Sequence, residues 1–132
     1  MATSPHILAI DQGTTSTRAI LFDRAGAPVA MAQRELKQNY TQSGWVEHDP
    51  EDIWQAVLET CRQVLATEAR QVAAIGIPNQ RDTTSLWDRE TGALVHNAIV
   101  WQDRRTAEAC RAVAAAGHAP LIAERTGLVP DP

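Results

Sequence analysis

The chain has 132 residues, 44% of them apolar and 21% charged, with a formal net charge of -4 from 12 basic and 16 acidic side chains. That balance is ordinary for a globular domain and excludes disorder as a whole-chain description. It also argues against a general polyanion-binding surface, so no nucleic-acid partner is expected. No apolar run approaches the roughly 20 residues that span a bilayer, and Met1-Ala-Thr-Ser-Pro5 lacks a basic segment followed by an apolar stretch. The expectation is a cytoplasmic protein without a membrane partner. Cys61 and Cys110 fall at apolar positions of predicted helices, outside any CxxC pair. They read as buried free thiols rather than as a disulfide or a zinc site. Lys37 is the only lysine.

The first third reads as β. His6-Ile-Leu-Ala-Ile10 is a short apolar run, Thr17-Arg-Ala-Ile-Leu-Phe22 is rich in β-formers, and Pro28 to Leu36 continues as a third strand. Asp23-Arg-Ala-Gly26 is a turn by composition. Such short connections predict an antiparallel meander. Residues 38–48 read as a surface loop. A helix follows, with Asp49 as N-cap, Pro50 at the first helical position, and Glu51 and Asp52 at the positive end of the dipole. Ile53, Trp54, Val57, Leu58, Cys61, Val64 and Leu65 are expected on its core face, and Gln55, Glu59, Arg62, Gln63 and Glu68 on the other.

Val72 to Pro78 reads as a buried parallel strand, with Pro78 marking its end. Thr83-Thr-Ser-Leu-Trp87 reads as another strand, Asp88-Arg-Glu-Thr-Gly92 as a turn, and Ile99-Val-Trp101 as a short extended segment. A second helix is expected from about Arg104 to Ala116, capped by Asp103 and stopped by Gly117. Pro120 opens a third that ends before Gly127. There is no internal repeat. The order mixes an antiparallel meander with a parallel addition, unlike the strict alternation of a doubly wound sheet.

Three segments could carry chemistry. Asp11-Gln-Gly-Thr-Thr-Ser-Thr-Arg18 lies between the first two strands. A tight turn at Gly13 exposes successive backbone N–H groups, and Thr14, Thr15 and Ser16 add hydroxyls, which suits phosphate oxygens. Asp11 is placed to meet a phosphate-bound Mg²⁺, and Arg18 could add a charged contact. A plain polar hairpin turn has the same composition. No GxxxxGK[ST] is present. The second segment, Asn79-Gln-Arg-Asp-Thr-Thr84, sits at a strand end, where ligands gather in α/β sheets. Arg81 and Asp82 together match a hydroxyl that both donates and accepts; a surface ion pair fits equally. The third is Trp101-Gln-Asp-Arg104, a ring able to lie against a ligand's carbon backbone, or a core tryptophan before a helix cap. His6, His48, His96 and His118 show no metal-ligand spacing. Trp45 and Trp54 read as packing residues.

These segments, in this order, carry a resemblance. Ala9 to Arg18, Gly44-Trp-Val-Glu-His-Asp-Pro50, Ala74-Ile-Gly-Ile-Pro-Asn-Gln-Arg81, Asn97-Ala-Ile-Val-Trp-Gln102 and Thr126-Gly-Leu128 resemble the FGGY carbohydrate-kinase family. The resemblance covers nearly the whole chain from about His6. It implies an α/β fold of the ribonuclease H-like, actin-like ATPase type. The sheet would be mixed, a three-strand meander plus parallel strands with flanking helices, and incomplete here. Residues 1–132 would form the N-terminal part of the first kinase domain, without the second. The implied activity of the full-length protein is ATP-dependent phosphorylation of a polyol, glycerol giving glycerol 3-phosphate, with ATP and Mg²⁺ as cofactors and a homo-oligomeric state.

Carried over by resemblance, Asp11 is the Mg²⁺-associated carboxylate. Gly13, Thr14, Thr15, Ser16 and Arg18 serve the ATP phosphates, and Arg81, Asp82 and Trp101 the polyol. The general-base aspartate is expected beyond Pro132, which implies that this chain is inactive alone. One departure stands out: the glycerol-specific members usually carry Glu where this chain has Asp82. That retracts the carboxylate by about one methylene and could admit water or a larger polyol. A sister kinase for another polyol or sugar is one alternative, and a non-catalytic nucleotide-binding module another.

Overall fold

Alternation of apolar residues along the first third lets one sheet face bury while the other stays open. The structure, a computed structural model describing residues 5–66 and 71–132, has three antiparallel strands there. They are β1 (His6–Gln12), β2 (Ser16–Phe22) and β3 (Pro28–Glu35). Leu8 pairs with Leu21 and Ile10 with Ala19 across β1 and β2. Ala19 and Leu21 are fully buried, and with Leu8, Ile10 and Val64 they form the core. Ala30 and Ala32 of β3 pack against it. The predicted meander is therefore present.

Helix α1 (Pro50–Ala66) closes this face. Asp49 caps it as expected, its carboxylate accepting the Glu51 N–H at 2.9 Å. The buried stripe differs from the expected one. Val64 is buried and Val57 and Cys61 pack against the core as expected, but Ala56 and Thr60 are buried beside them, while Trp54 is 54% exposed and Leu65 is exposed too. A polar residue fits the core stripe because the Thr60 hydroxyl donates to the Ala56 carbonyl at 2.8 Å. Its small neighbour Ala56 lets the helix approach β2 and β3 closely. Cys61 and Cys110 are free but only half-buried. Burial raises the Cys61 thiol above its ordinary range, which favours the unreactive protonated form. Glu68 and residues 1–4, to which the helix-face and leader expectations extended, lie outside the described residues.

Strand β4 (Glu47–His48) precedes α1, inside the segment read from sequence as loop. Strand β5 (Val72–Gly76) then adds parallel to β1, giving the sheet order β3-β2-β1-β5. The parallel pairing is as expected, but burial is not: Ile75 is 59% exposed and Ile77 65%. Helix α1 lies mainly over β2 and β3, and of β5 only Val72 is half-buried, packed against the core. Strand β6 (Ala98–Ile99) pairs antiparallel with β4. The strand expected at Thr83–Trp87 is not formed. That stretch makes only single bridges, Thr84 with Ile99 and Trp87 with Leu94. Its neighbour β6 offers only two residues to pair with.

Helices α2 (Ala107–Ala115) and α3 (Ala119–Thr126) end the chain. Helix α2 starts later than expected, at Ala107, although the Asp103 carboxylate accepts the N–H two residues on as a cap does; residues 104–106 stay outside the helix. That carboxylate is committed to the Val46 and Arg105 N–H groups, and the N-cap Thr106 makes no side-chain bond. Helix α3 carries Pro120 in its first turn and ends at Gly127, whose φ of 73° suits glycine.

Replacing Leu21 by Ala removes a fully buried side chain from the centre of this core. A loss of about 2–5 kcal/mol is expected, read from the urea midpoint. The sheet face opposite α1 exposes Ile7 and Met31 beside Ile20 and Phe22. An open apolar face of this kind drives association. The 132-residue chain is expected to sediment as concentration-dependent oligomers, and a clean monomer at high concentration would contradict this.

Candidate active site

The turn between β1 and β2 is held by one short bond, Gly13 N–H to the Ser16 carbonyl at 3.0 Å. A Cβ on Gly13 would lie 3.0 Å from that same oxygen, a backbone atom with little room to yield. A side chain at this position would therefore press on the turn's own backbone. Thr14 accepts the Trp101 indole N–H on its hydroxyl at 2.9 Å. Ser16 instead accepts the Gln33 carboxamide at 3.0 Å. Thr15 and Ser16 line a separate cavity of about 420 Å³ with Gln33, Gln38 and Tyr40. The three hydroxyls therefore do not converge: Thr14 faces Trp101, and the other two face β3.

Asp11 and Arg18 sit directly opposite each other on β1 and β2, both half-buried. They form no ion pair, and Arg18 Nε is buried without a partner among the described residues. A buried donor left unmatched is costly and suits an arriving anion. Among the described residues no three metal-binding side chains cluster. One carboxylate and nearby hydroxyls are not a metal cage. They do match Mg²⁺, which keeps waters and phosphate oxygens and needs only one or two carboxylates.

The second segment meets this turn through the sheet. Beyond β5 the parallel pairing continues, with Gln12 N–H donating to the Pro78 carbonyl at 3.1 Å and Gln80 N–H to the Gln12 carbonyl at 2.8 Å. Asp82 has φ 64°, the only positive φ outside glycine among the described residues. Aspartate tolerates that region better than longer side chains do. Asp82 and Trp101 line one cavity of about 550 Å³ with Thr84, Val100, Asp103 and Leu128. Arg81 is exposed and is not among the cavity's lining residues. Of the expected polyol residues, Asp82 and Trp101 come together and Arg81 stands outside.

A polar cluster fixes the cavity's floor. Arg105 bonds Glu47 and Asp103 at 2.8 Å each, and all three are largely buried. Its guanidinium lies 3.8 Å over the Trp45 ring. Asp103 also accepts the Val46 N–H at 2.7 Å. The Arg105 hydrogen bond holds Asp103 at about 2, below the ordinary carboxylate value. The Asn97 amide, then Arg105, lower Glu47. His48 is buried beside Gln80, its Nδ1 3.5 Å from the Gln80 amide nitrogen and its Nε2 unpartnered among the described residues. Burial lowers its pKa, against a weaker opposing pull from Asp52. The sequence reading gave no role to Gln12, Gln80, Thr83, Glu47 or Arg105, and read Asp103 only as a helix cap. The sequence signal for them was that all but Arg105 lie inside the quoted segments.

With this geometry in place, comparison with known proteins defines the class. The N-terminal domain of the FGGY family of carbohydrate kinases matches residues 6–132. The chain belongs to that family. It is 58% identical over 135 residues to a glycerol kinase of Rhodospirillum centenum, covering 100% of this chain and 27% of that protein. It is 60% identical over 129 residues to a glycerol kinase of Methylobacterium nodulans, covering 96% and 26%. The chain thus spans about a quarter of the length of these relatives. Among solved structures it is similar to gluconate kinase from Lactobacillus acidophilus, with a TM-score of 0.91 at 27% identity over 97% of this chain and 26% of that one. Plasmodium falciparum glycerol kinase with ADP gives 0.88 at 32% identity over the same shares. The fold is part of the actin-like ATPase fold. Among the described residues no helix is long and apolar enough to cross a membrane.

Substituting Arg105 by Met leaves two buried carboxylates uncompensated, and a loss of about 3–5 kcal/mol is expected in denaturant unfolding. Acid should destabilise the fold in two stages. At His48 the folded chain binds fewer protons than the unfolded one. Its contribution is full above the ordinary 6.5 and falls as pH drops below that value. Asp103 behaves alike over a lower window, between the ordinary 3.8 and about 2. Melting temperature followed against pH reads both stages, and His48→Gln should remove the first.

Proposed function

We propose that this chain supplies one wall of the active site of an ATP-dependent polyol kinase, with glycerol as the acceptor best supported. The observation that carries the reading is the 2.9 Å bond between Trp101 and Thr14. It joins Trp101, on the Asp82 cavity, to the Gly13 turn, and supports the adjacency that transfer from nucleotide to hydroxyl requires. Glycerol kinases at 58% and 60% identity support the acceptor. Mg²⁺ held near Asp11 would neutralise charge on the transferring phosphoryl group. The Gly13 turn and Arg18 receive phosphate oxygens. Thr14 has its acceptor side taken by Trp101, which leaves its own proton for a phosphate oxygen. Asp82 accepts from a polyol hydroxyl while Trp101 covers the carbon chain.

One wall excludes little water and positions the acceptor from one side only. The 132 residues alone are therefore expected to show no turnover, and the full-length protein carrying them to release ADP with Mg-ATP and glycerol. Asp82 favours one further arm in that assay, because its short carboxylate leaves space for a longer polyol. A panel of polyols and sugars decides the name: glycerol as best substrate supports this reading, and a longer polyol as best substrate replaces it. Within the same protein, Asp82→Asn keeps a residue that tolerates positive φ and removes only the charge. It should raise the KM for the polyol at least tenfold while leaving that for ATP within about twofold, since one lost charged hydrogen bond is worth about 1.5–3 kcal/mol.

A further inference from the structure

The two subsites are joined by more than the Trp101 contact. Trp101 donates its backbone N–H to the Thr83 hydroxyl at 3.3 Å. That hydroxyl donates to Gln80 Oε1 at 2.9 Å. Gln80 is 9% exposed. Its backbone N–H donates to the Gln12 carbonyl at 2.8 Å, and its carboxamide to Gln12 Oε1 at 3.4 Å. Gln12 leads covalently into Gly13 and Thr14, and Thr14 accepts the Trp101 indole. The bonds close a ring: Thr14, Trp101, Thr83, Gln80, Gln12 and back to Thr14. The two N–H groups of Trp101 can only donate, so the hydroxyls of Thr14 and Thr83, which can do either, accept there. The Thr83 hydroxyl has a single proton, which goes to Gln80, so its lone pairs face Trp101.

We propose that Thr83 is a positioning residue that couples the polyol and nucleotide subsites through this ring. The inference rests on the polyol-kinase reading above and adds the residue that links its halves. A polyol seated on Trp101 restrains the indole. The indole fixes the rotor of Thr14, and Thr83 holds the backbone of Trp101 to the strand end from which Gln80 grips the phosphate turn. Binding in either subsite thus reduces the freedom still to be lost in the other, and the effect must be reciprocal.

The test is the factor by which a non-hydrolysable ATP analogue with Mg²⁺ tightens glycerol binding, measured by calorimetry on the full-length protein. The unaltered protein is expected to give a factor within the usual range of roughly 5–150. Thr83→Val keeps the shape and removes the hydroxyl, and should bring the factor close to one. Thr83→Ser restores the hydroxyl and should restore most of the factor. Trp101→Phe cuts the ring at the indole, and should also lower it. This second cut carries the test if Thr83→Val does not fold. An unchanged factor in Thr83→Val or, failing that variant, in Trp101→Phe overturns the proposal, as does a Thr83→Ser protein that falls as far as Thr83→Val. If the unaltered protein binds both ligands with a factor of one, the coupling proposal falls and the kinase reading stands. If it binds neither ligand, both fall.

Discussion

The parallel pairing of β1 with β5 is the constraint on which the site depends. Parallel neighbours cannot be joined by a hairpin, so the chain must leave the sheet and return. Here it does so through β3, the 36–48 segment and α1. The return delivers residues 78–80 alongside Gln12, just where β1 gives way to the Gly13 turn. Two segments far apart in sequence, each unremarkable alone, become opposite sides of one site. The antiparallel meander could form without β5, but residues 78–84 would then have no fixed position relative to the Gly13 turn.

The second support is electrostatic. The 80–106 region has little regular structure: two strand residues and a series of bridges. An irregular backbone needs partners for its polar groups. Arg105 provides many of them indirectly, by bonding Asp103, which bonds Val46, and Glu47, which bonds Asn97. Trp45 beneath the guanidinium adds a flat apolar surface that shields these charges from water. The floor of the cavity lined by Asp82 and Trp101 is thus a charge cluster.

Much of the fold was legible in the sequence because it is local. The meander follows from two-residue periodicity and short turns, and α1 from Asp49-Pro50 and its acidic first turn. What failed was non-local. Trp54 looked like core by spacing, yet the helix rotates toward Ala56 and Thr60, because small residues allow closer approach to the sheet. Asp103 looked like a helix cap, and one of its oxygens does accept the Arg105 N–H, but the other reaches Val46 across the cluster and the helix begins only at Ala107. Thr83–Trp87 has strand composition but too short a partner. The candidate site was legible in parts. Motif resemblance placed Thr14, Asp82 and Trp101, and the geometry brings them together. Gln80 and Thr83 were unread, since their function lies in connecting other residues, which no single-segment pattern encodes.

The exposed parallel strand also has a kinetic consequence. Strand β2 lies between β1 and β3, under α1, and closes mostly short loops. Strand β5 closes a much longer one and offers few buried contacts in return. Loop entropy therefore delays its docking, and with it the assembly of the 78–106 region. Amide hydrogens should report the same hierarchy at equilibrium. Those of β1 and β2 exchange only through the deepest opening, while those of β5 and the Gln12–Gln80 junction exchange through a smaller one. The Gln12–Gln80 junction is consequently the last part of this chain to form and the first to open. Its final rigidity is then set by whatever binds there.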